Sequence, residues 1–302
     1  MDPEKRVGPI HLVPVVTATG ISAALGWLLE NSRILSELET PFSRSQTLEA
    51  TVYNVSIFAL LLGFGALMLY LLIKLRRASL LKVVILTSLA ISMIGIVEVY
   101  AIALLSVSGM LEIMPPDTSL LLSLALSLVA TYLIATSDNE LVLSSILLLY
   151  GSSAGSLLGA LLPLWTVVLA AILASAYDLY SVFKGPLKYI IELERGRIAA
   201  RTPEVISARS SESLLKGAVV PFKGLYIGIG DIIFYSMIAS TALLRPSISF
   251  LRALVVALSL AAGAYVTFKL VEKRGALPAL PLPALLSVST YLIALALEAT
   301  FL

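Results

Sequence analysis

The chain contains no cysteine, which excludes a disulfide framework and thiolate metal ligation alike. A single histidine, His11, stands near the N-terminus, too little for a His-based zinc site or a Ser-His triad. Charge is scarce as well: 13% of residues are Asp, Glu, Lys or Arg, and the net charge of +2 is too small to argue for a nucleic-acid partner. One Gln and three Asn agree with a heat-adapted source, although membrane spans are poor in amides in any case. There is no P-loop, no GxGxxG after a strand and no His cluster, so no metal, nucleotide or other cofactor is expected.

What fills the chain instead is apolar. Of its 302 residues 59% are hydrophobic, against about 45–50% in a soluble domain, and the mean hydropathy is +0.98. That composition is an all-α, polytopic membrane protein. A bilayer core of roughly 30 Å asks for about 20 apolar residues per helix. Nine stretches satisfy this, at about 10–29, 51–73, 82–108, 118–136, 141–160, 163–183, 219–244, 250–270 and 279–300. The first is read as a helix that is retained and not as a cleaved signal peptide, since no clear small-residue cleavage site follows it. Asp138-Asn139-Glu140 forms one tight turn, and Gly159 with Pro163 marks the next. The chain therefore reads as one membrane domain in three parts: spans one to six over 1–183, a polar cytoplasmic loop over 184–218, and spans seven to nine over 219–302.

Basic residues fix the expected orientation. With nine spans and the N-terminus inside, 17 of the 21 Lys and Arg fall on inner segments, and only Arg33, Arg44, Arg245 and Arg252 fall on outer ones. Such a bias is the positive-inside pattern. It predicts a cytoplasmic N-terminus and an outer C-terminus.

Four acidic residues lie within predicted spans: Glu98, Asp178, Asp231 and Glu298. Each costs roughly 2.5–3.5 kcal/mol at a helix centre on insertion scales, so each needs a partner or a purpose. Glu298 reaches the outer interface on this reading, Glu98 hydrogen-bonds a neighbouring hydroxyl, and His11 is interfacial. Asp178 and Asp231 have small residues behind them: Ser175, Ala174 and Ala171 for the first, Gly228 and Gly224 for the second. Small faces let two helices approach closely, which could bring both carboxylates into one apolar site. Two adjacent carboxylates cannot both ionise, so the pair shares a proton. One member can then activate water while the other protonates the carbonyl and the departing amine. Gly228 and Gly230 loosen the helix end ahead of Asp231 and leave room for a peptide backbone. Close packing around one structurally paired aspartate fits the same spacing.

Three blocks carry a resemblance: "YDLYSVFKGPLKYIIELE" at 177–194, "GIGDIIFYS" at 228–236 and "ALPALP" at 276–281. In this order, and with these spans between them, they resemble the presenilin family of GxGD intramembrane aspartyl proteases. They cover about a tenth of the chain; the nine-span layout extends the likeness over its length. Signal peptide peptidases share the motifs but resemble an inverted topology. Prepilin peptidases usually carry a basic residue where this chain has Ile232-Ile233, and they lack the Pro-Ala-Leu block.

The resemblance implies a catalytic pair of Asp178 and Asp231. Tyr177, Gly228, Gly230, Pro278, Ala279 and Leu280 would shape the site and bind substrate. It also implies that Lys223, Gly224, Leu225, Tyr226 and Ile227 pair as a strand with an unwound substrate. The implied partners are single-span protein substrates within the lipid bilayer. The loop between spans six and seven is short beside that of animal presenilins, so the chain looks like a microbial, archaeal homologue that works in the cell membrane without obligatory subunits. A proton-coupled transporter or channel with the two aspartates as a relay is the alternative. A scaffold whose acids only pair helices is a third reading.

Overall fold

The computed structural model describes residues 7–32, 34–75, 78–110, 113, 115–185, 216–274 and 277–301, and every structural statement below concerns these. Most of the polar segment expected at 184–218 lies outside them. In chain order come a 3-10 turn, Pro9–Leu12, and the helices α1 (Val13–Ser32), α2 (Leu48–Lys74), α3 (Ala78–Val107), α4 (Pro116–Thr136), α5 (Glu140–Leu161) and α6 (Leu164–Phe183). Then follow the strands β1 (Val219–Phe222) and β2 (Leu225–Gly228) and the helices α7 (Ile229–Leu244), α8 (Phe250–Arg274) and α9 (Pro281–Phe301). Eight of these helices are long and apolar enough to cross a membrane; α7 is the shorter, ninth apolar helix. The all-α, multi-pass reading holds, with one small hairpin added.

Helix boundaries follow local chemistry. The Asn139 side chain accepts the Leu141 N–H at 2.9 Å and caps α5. Pro116 opens α4, where the missing N–H is of no consequence. Gly159 does not turn the chain as expected: α5 runs through it to Leu161, and Leu162-Pro163 makes the break. The seventh stretch, 219–244, is also corrected. Its first ten residues form the antiparallel hairpin β1–β2, in register from Val219 opposite Gly228 to Phe222 opposite Leu225, and only Ile229 onward is helical.

The core is built around α7, whose residues from Phe234 to Leu244 are all buried. Its principal neighbour is α5, with α1 packed on both. The close approach expected between the two aspartate-bearing helices is thus displaced. Gly224 sits in the hairpin turn and Gly228 caps α7, so neither supplies a small face on that helix. The small face lies on α5. A Cβ on Gly151 would stand 2.8 Å from Ile232 Cγ2, and one on Gly159 would stand 2.5 Å from the Met237 carbonyl oxygen. Between them Gly155 presses on the α7 backbone itself. Polar threads accompany this contact: Ser22 donates to the Ser236 carbonyl at 2.7 Å, and Thr241 donates to the Gly159 carbonyl at 3.1 Å.

Glu298 is not a lone acid. It pairs with Arg252, which is 1% exposed and also donates to the carbonyls of Ala242 (2.7 Å) and Ser247. Arg252, counted above as an outer-segment charge, is therefore a buried tie between α7, α8 and α9. His11 is buried too, its ring accepting the Gly8 N–H at 3.0 Å. Glu98 is half-buried, and the hydroxyl partner expected for it is not found among the described residues.

Candidate active site

The hairpin delivers the chain to α7. Its turn residues, Lys223 (φ 47°) and Gly224 (φ 78°), both occupy the left-handed region, which a two-residue turn of matching twist requires. Glycine accepts this freely, whereas lysine is strained there. The turn is held by the side chain of Glu140, which accepts the Lys223 N–H, and β1 by Ser144, which donates to the Pro221 carbonyl. Lys216 meets Asp138 at 3.1 Å. Between hairpin and α5 lies a cavity of about 450 Å³, lined by residues including Leu143, Leu147, Val219, Pro221 and Tyr226. Leu225, Tyr226 and Ile227 are in β2; Lys223 and Gly224 belong to the turn and not to the strand.

Asp231 stands in the first turn of α7, half-buried, with the Gly228 amide close to its carboxylate. A Cβ on Gly228 would lie 3.0 Å from Asp231 Oδ2, so any larger residue crowds the carboxylate. Gly230 is exposed with nothing within 4 Å of its would-be Cβ, which leaves open space beside the acid. Asp178, near the end of α6, lies within Coulombic reach of Asp231. Tyr177 beside it is half-buried.

The third contributor is the segment Pro278-Ala279-Leu280 before α9. Asp178 Oδ2 accepts the Leu280 N–H at 3.0 Å, and the Ala279 amide lies close to the same carboxylate. Helix N-termini offer such unsatisfied amides, and their dipole suits an anion. Leu280 is itself buried. The sequence-predicted residues Asp178, Asp231, Gly228, Ala279 and Leu280 thus come together from α6, α7 and the start of α9, while Lys223 and Gly224 stand off in the turn. Two contributors escaped the sequence reading. One is the strand β1. The other is Tyr235, whose spacing of four from Asp231 was the available signal. It is fully buried, within Coulombic reach of both aspartates, and its hydroxyl donates to the Ala279 carbonyl at 3.0 Å.

Fold and site together define a multi-pass membrane protein with two aspartates, near the end of α6 and in the first turn of α7, within Coulombic reach of each other. Its fold is that of a solved presenilin family intramembrane aspartate protease: the TM-score is 0.61 over 95% of this chain and 99% of that one, at 17% identity. In sequence the chain is similar to Presenilin-B of Dictyostelium discoideum, 31% identical over 135 residues. Those residues are 43% of this chain and 26% of the relative, so the match spans about a quarter of the curated relative's length. No family model matches. The chain is presenilin-like in sequence and in fold.

Proposed function

We propose that the chain is an intramembrane aspartic endopeptidase that hydrolyses peptide bonds within single-span helices through Asp178 and Asp231. The observation that carries this reading is that Asp178, bonded to the Leu280 amide at the start of α9, lies within Coulombic reach of Asp231 on α7. In the reaction the pair holds one proton between its members. The ionised carboxylate takes a proton from water as the oxygen attacks the scissile carbonyl carbon. The protonated one donates to the carbonyl oxygen, and a further transfer to nitrogen releases the amine. A helical peptide bond is shielded by its own hydrogen bonds, so the substrate must first extend. An extended segment laid beside β2 recovers its lost backbone partners by strand addition.

Substrates enter with the N-terminus outside, the N-terminus of the enzyme being cytoplasmic as the 17 inner basic residues argue. The enzyme works in the cell membrane of an archaeal or other microbial source, without further subunits.

The test uses the purified protein in detergent with a single-span peptide, products being read by mass spectrometry. Cleavage within the span by the wild type, lost in folded Asp178→Ala and in folded Asp231→Ala, is the expected result. Product that persists in either variant rejects the dyad and returns the proton relay to consideration. Reconstitution into vesicles with substrates of both orientations tests the direction of entry; cleavage of only the opposite orientation rejects that part alone.

A further inference from the structure

We infer that Tyr235 is a positioning residue that sets the two aspartates in register by holding the Pro278–Leu280 segment; this rests on the endopeptidase reading above. Tyr235 stands four residues after Asp231 on α7, so both side chains leave the same face of the helix. Its hydroxyl donates to the Ala279 carbonyl at 3.0 Å. The next amide, that of Leu280, donates to Asp178 at 3.0 Å, and the Ala279 amide reaches the same carboxylate. One continuous path therefore runs from the helix of Asp231, through a phenol and a peptide unit, to Asp178. Direct packing between α6 and α7 is slight beside that between α5 and α7. It offers little else to fix the distance between the acids.

The arrangement is directional. Tyr235 satisfies the oxygen side of the Ala279 peptide, which turns the amide side of the segment toward Asp178. Without the phenol hydrogen, the Ala279–Leu280 peptide loses the restraint on its oxygen side, and its own N–H is less firmly aimed at the carboxylate. On the endopeptidase reading the substrate backbone is held mainly beside β2. Removing the hydroxyl therefore acts on the chemical step and not on substrate capture. A shift of about 1 Å at a reacting centre can cost on the order of 100-fold in rate.

The test compares Tyr235→Phe with Tyr291→Phe in the full-length protein in detergent. Tyr291 is the matched control: it is also fully buried and donates to a backbone carbonyl, that of Arg245 at 2.9 Å, far along α7 from the acids. The expected result is a tenfold or greater loss of kcat in Tyr235→Phe with KM unchanged. A peptide carrying a non-cleavable hydroxyl isostere of the tetrahedral intermediate binds it correspondingly more weakly, while Tyr291→Phe keeps the wild-type kcat. A Tyr235→Phe enzyme with wild-type kcat overturns the inference. So does one whose loss of activity merely follows its loss of thermal stability, as Tyr291→Phe reports it, or one that does not fold where Tyr291→Phe does. If the wild type itself cleaves nothing, it is the endopeptidase reading that fails, and the two failures are distinct.

Discussion

Gly155 of α5 lies directly against the Ile233 carbonyl of α7, with Ser236 Cβ only 2.6 Å and the Met237 amide nitrogen 2.9 Å from where its own Cβ would stand. Two of these three atoms are backbone, so they cannot move aside by changing rotamer. Gly155→Ala is expected to push α7 away from α5 at a cost of about 1–3 kcal/mol, the usual range for overpacking. Because Asp231 stands on the first turn of the displaced helix, cleavage should fall as well. Gly63 of α2 meets nothing within 4 Å, and Gly63→Ala should be stabilising by about 1 kcal/mol through helix propensity alone. Thermal unfolding in detergent measures both. Equal stability of the two variants would reject the contact.

The buried pair at the other end of α7 makes a different prediction. Arg252 has no exposed side-chain surface, whereas a third of the Glu298 side chain remains exposed. Glu298→Ala leaves a buried guanidinium short of its counter-charge and should cost about 3–5 kcal/mol. Ser249 also loses an acceptor, at 3.1 Å. Arg252→Met removes the charge and fills much of the space, so Glu298 can turn outward and the loss should be smaller. Chemical unfolding of the two variants gives the order directly. Kinetics per folded molecule should be unchanged in both, because neither residue is near the aspartates. The reverse order of stability would mean that Glu298 stays buried without Arg252.

A third tie joins α2 to the rest. Asn54 is fully buried, and its carboxamide accepts the Ser43 N–H at 2.8 Å and donates to the Ser43 carbonyl at 2.7 Å and to Thr166 Oγ1 of α6 at 3.3 Å. Much of α2 otherwise faces outward, with Leu60 and Phe64 largely exposed. Asn54→Leu leaves the Ser43 peptide unpaired and should cost about 1–3 kcal/mol. Limited proteolysis within residues 37–47 should accelerate before global unfolding. Unchanged nicking would mean that the loop is held by other contacts.

The parts of the site that sequence revealed are those written locally. Asp178 and Asp231 stand out because a carboxylate is costly in an apolar run, and Gly228 and Ala279-Leu280 are recognisable by their neighbours. The eight spans other than the seventh follow from the length of their apolar runs. The hairpin was hidden because Val219 to Gly228 is nearly as apolar as the helix it precedes. A short apolar run shows no period that separates strand from helix, and the clues were Pro221 and Gly224. The spacing Gly151, Gly155, Gly159 was present in the sequence, but a glycine near a helix end reads equally as a turn. Which helix a small face meets depends on neighbours distant in sequence. The Arg252–Glu298 pair and the bond from Tyr235 to Ala279 span 46 and 44 residues, and no local pattern announces either.

The last prediction separates capture from chemistry at the hairpin. Gly224 has φ 78° and Lys223 φ 47°, so a β-branched residue at 224 is forced into a conformation it strongly disfavours, while glycine at 223 is relieved of strain. Gly224→Val should open the turn and loosen β2, which presents the backbone beside which an extended substrate is expected to lie. Lys223→Gly keeps both the turn and the backbone N–H that reaches Glu140. Strain on the order of 1–3 kcal/mol at such a position would raise KM by about tenfold, since 1.4 kcal/mol corresponds to a factor of ten. Once substrate saturates the enzyme, kcat should remain close to that of the wild type, because the aspartates and the Ala279–Leu280 amides are untouched. Lys223→Gly should match the wild type in both constants. Steady-state kinetics on a peptide substrate decides the matter. A Gly224→Val enzyme that loses kcat with unchanged KM would mean that the hairpin sets the aspartates and not the substrate.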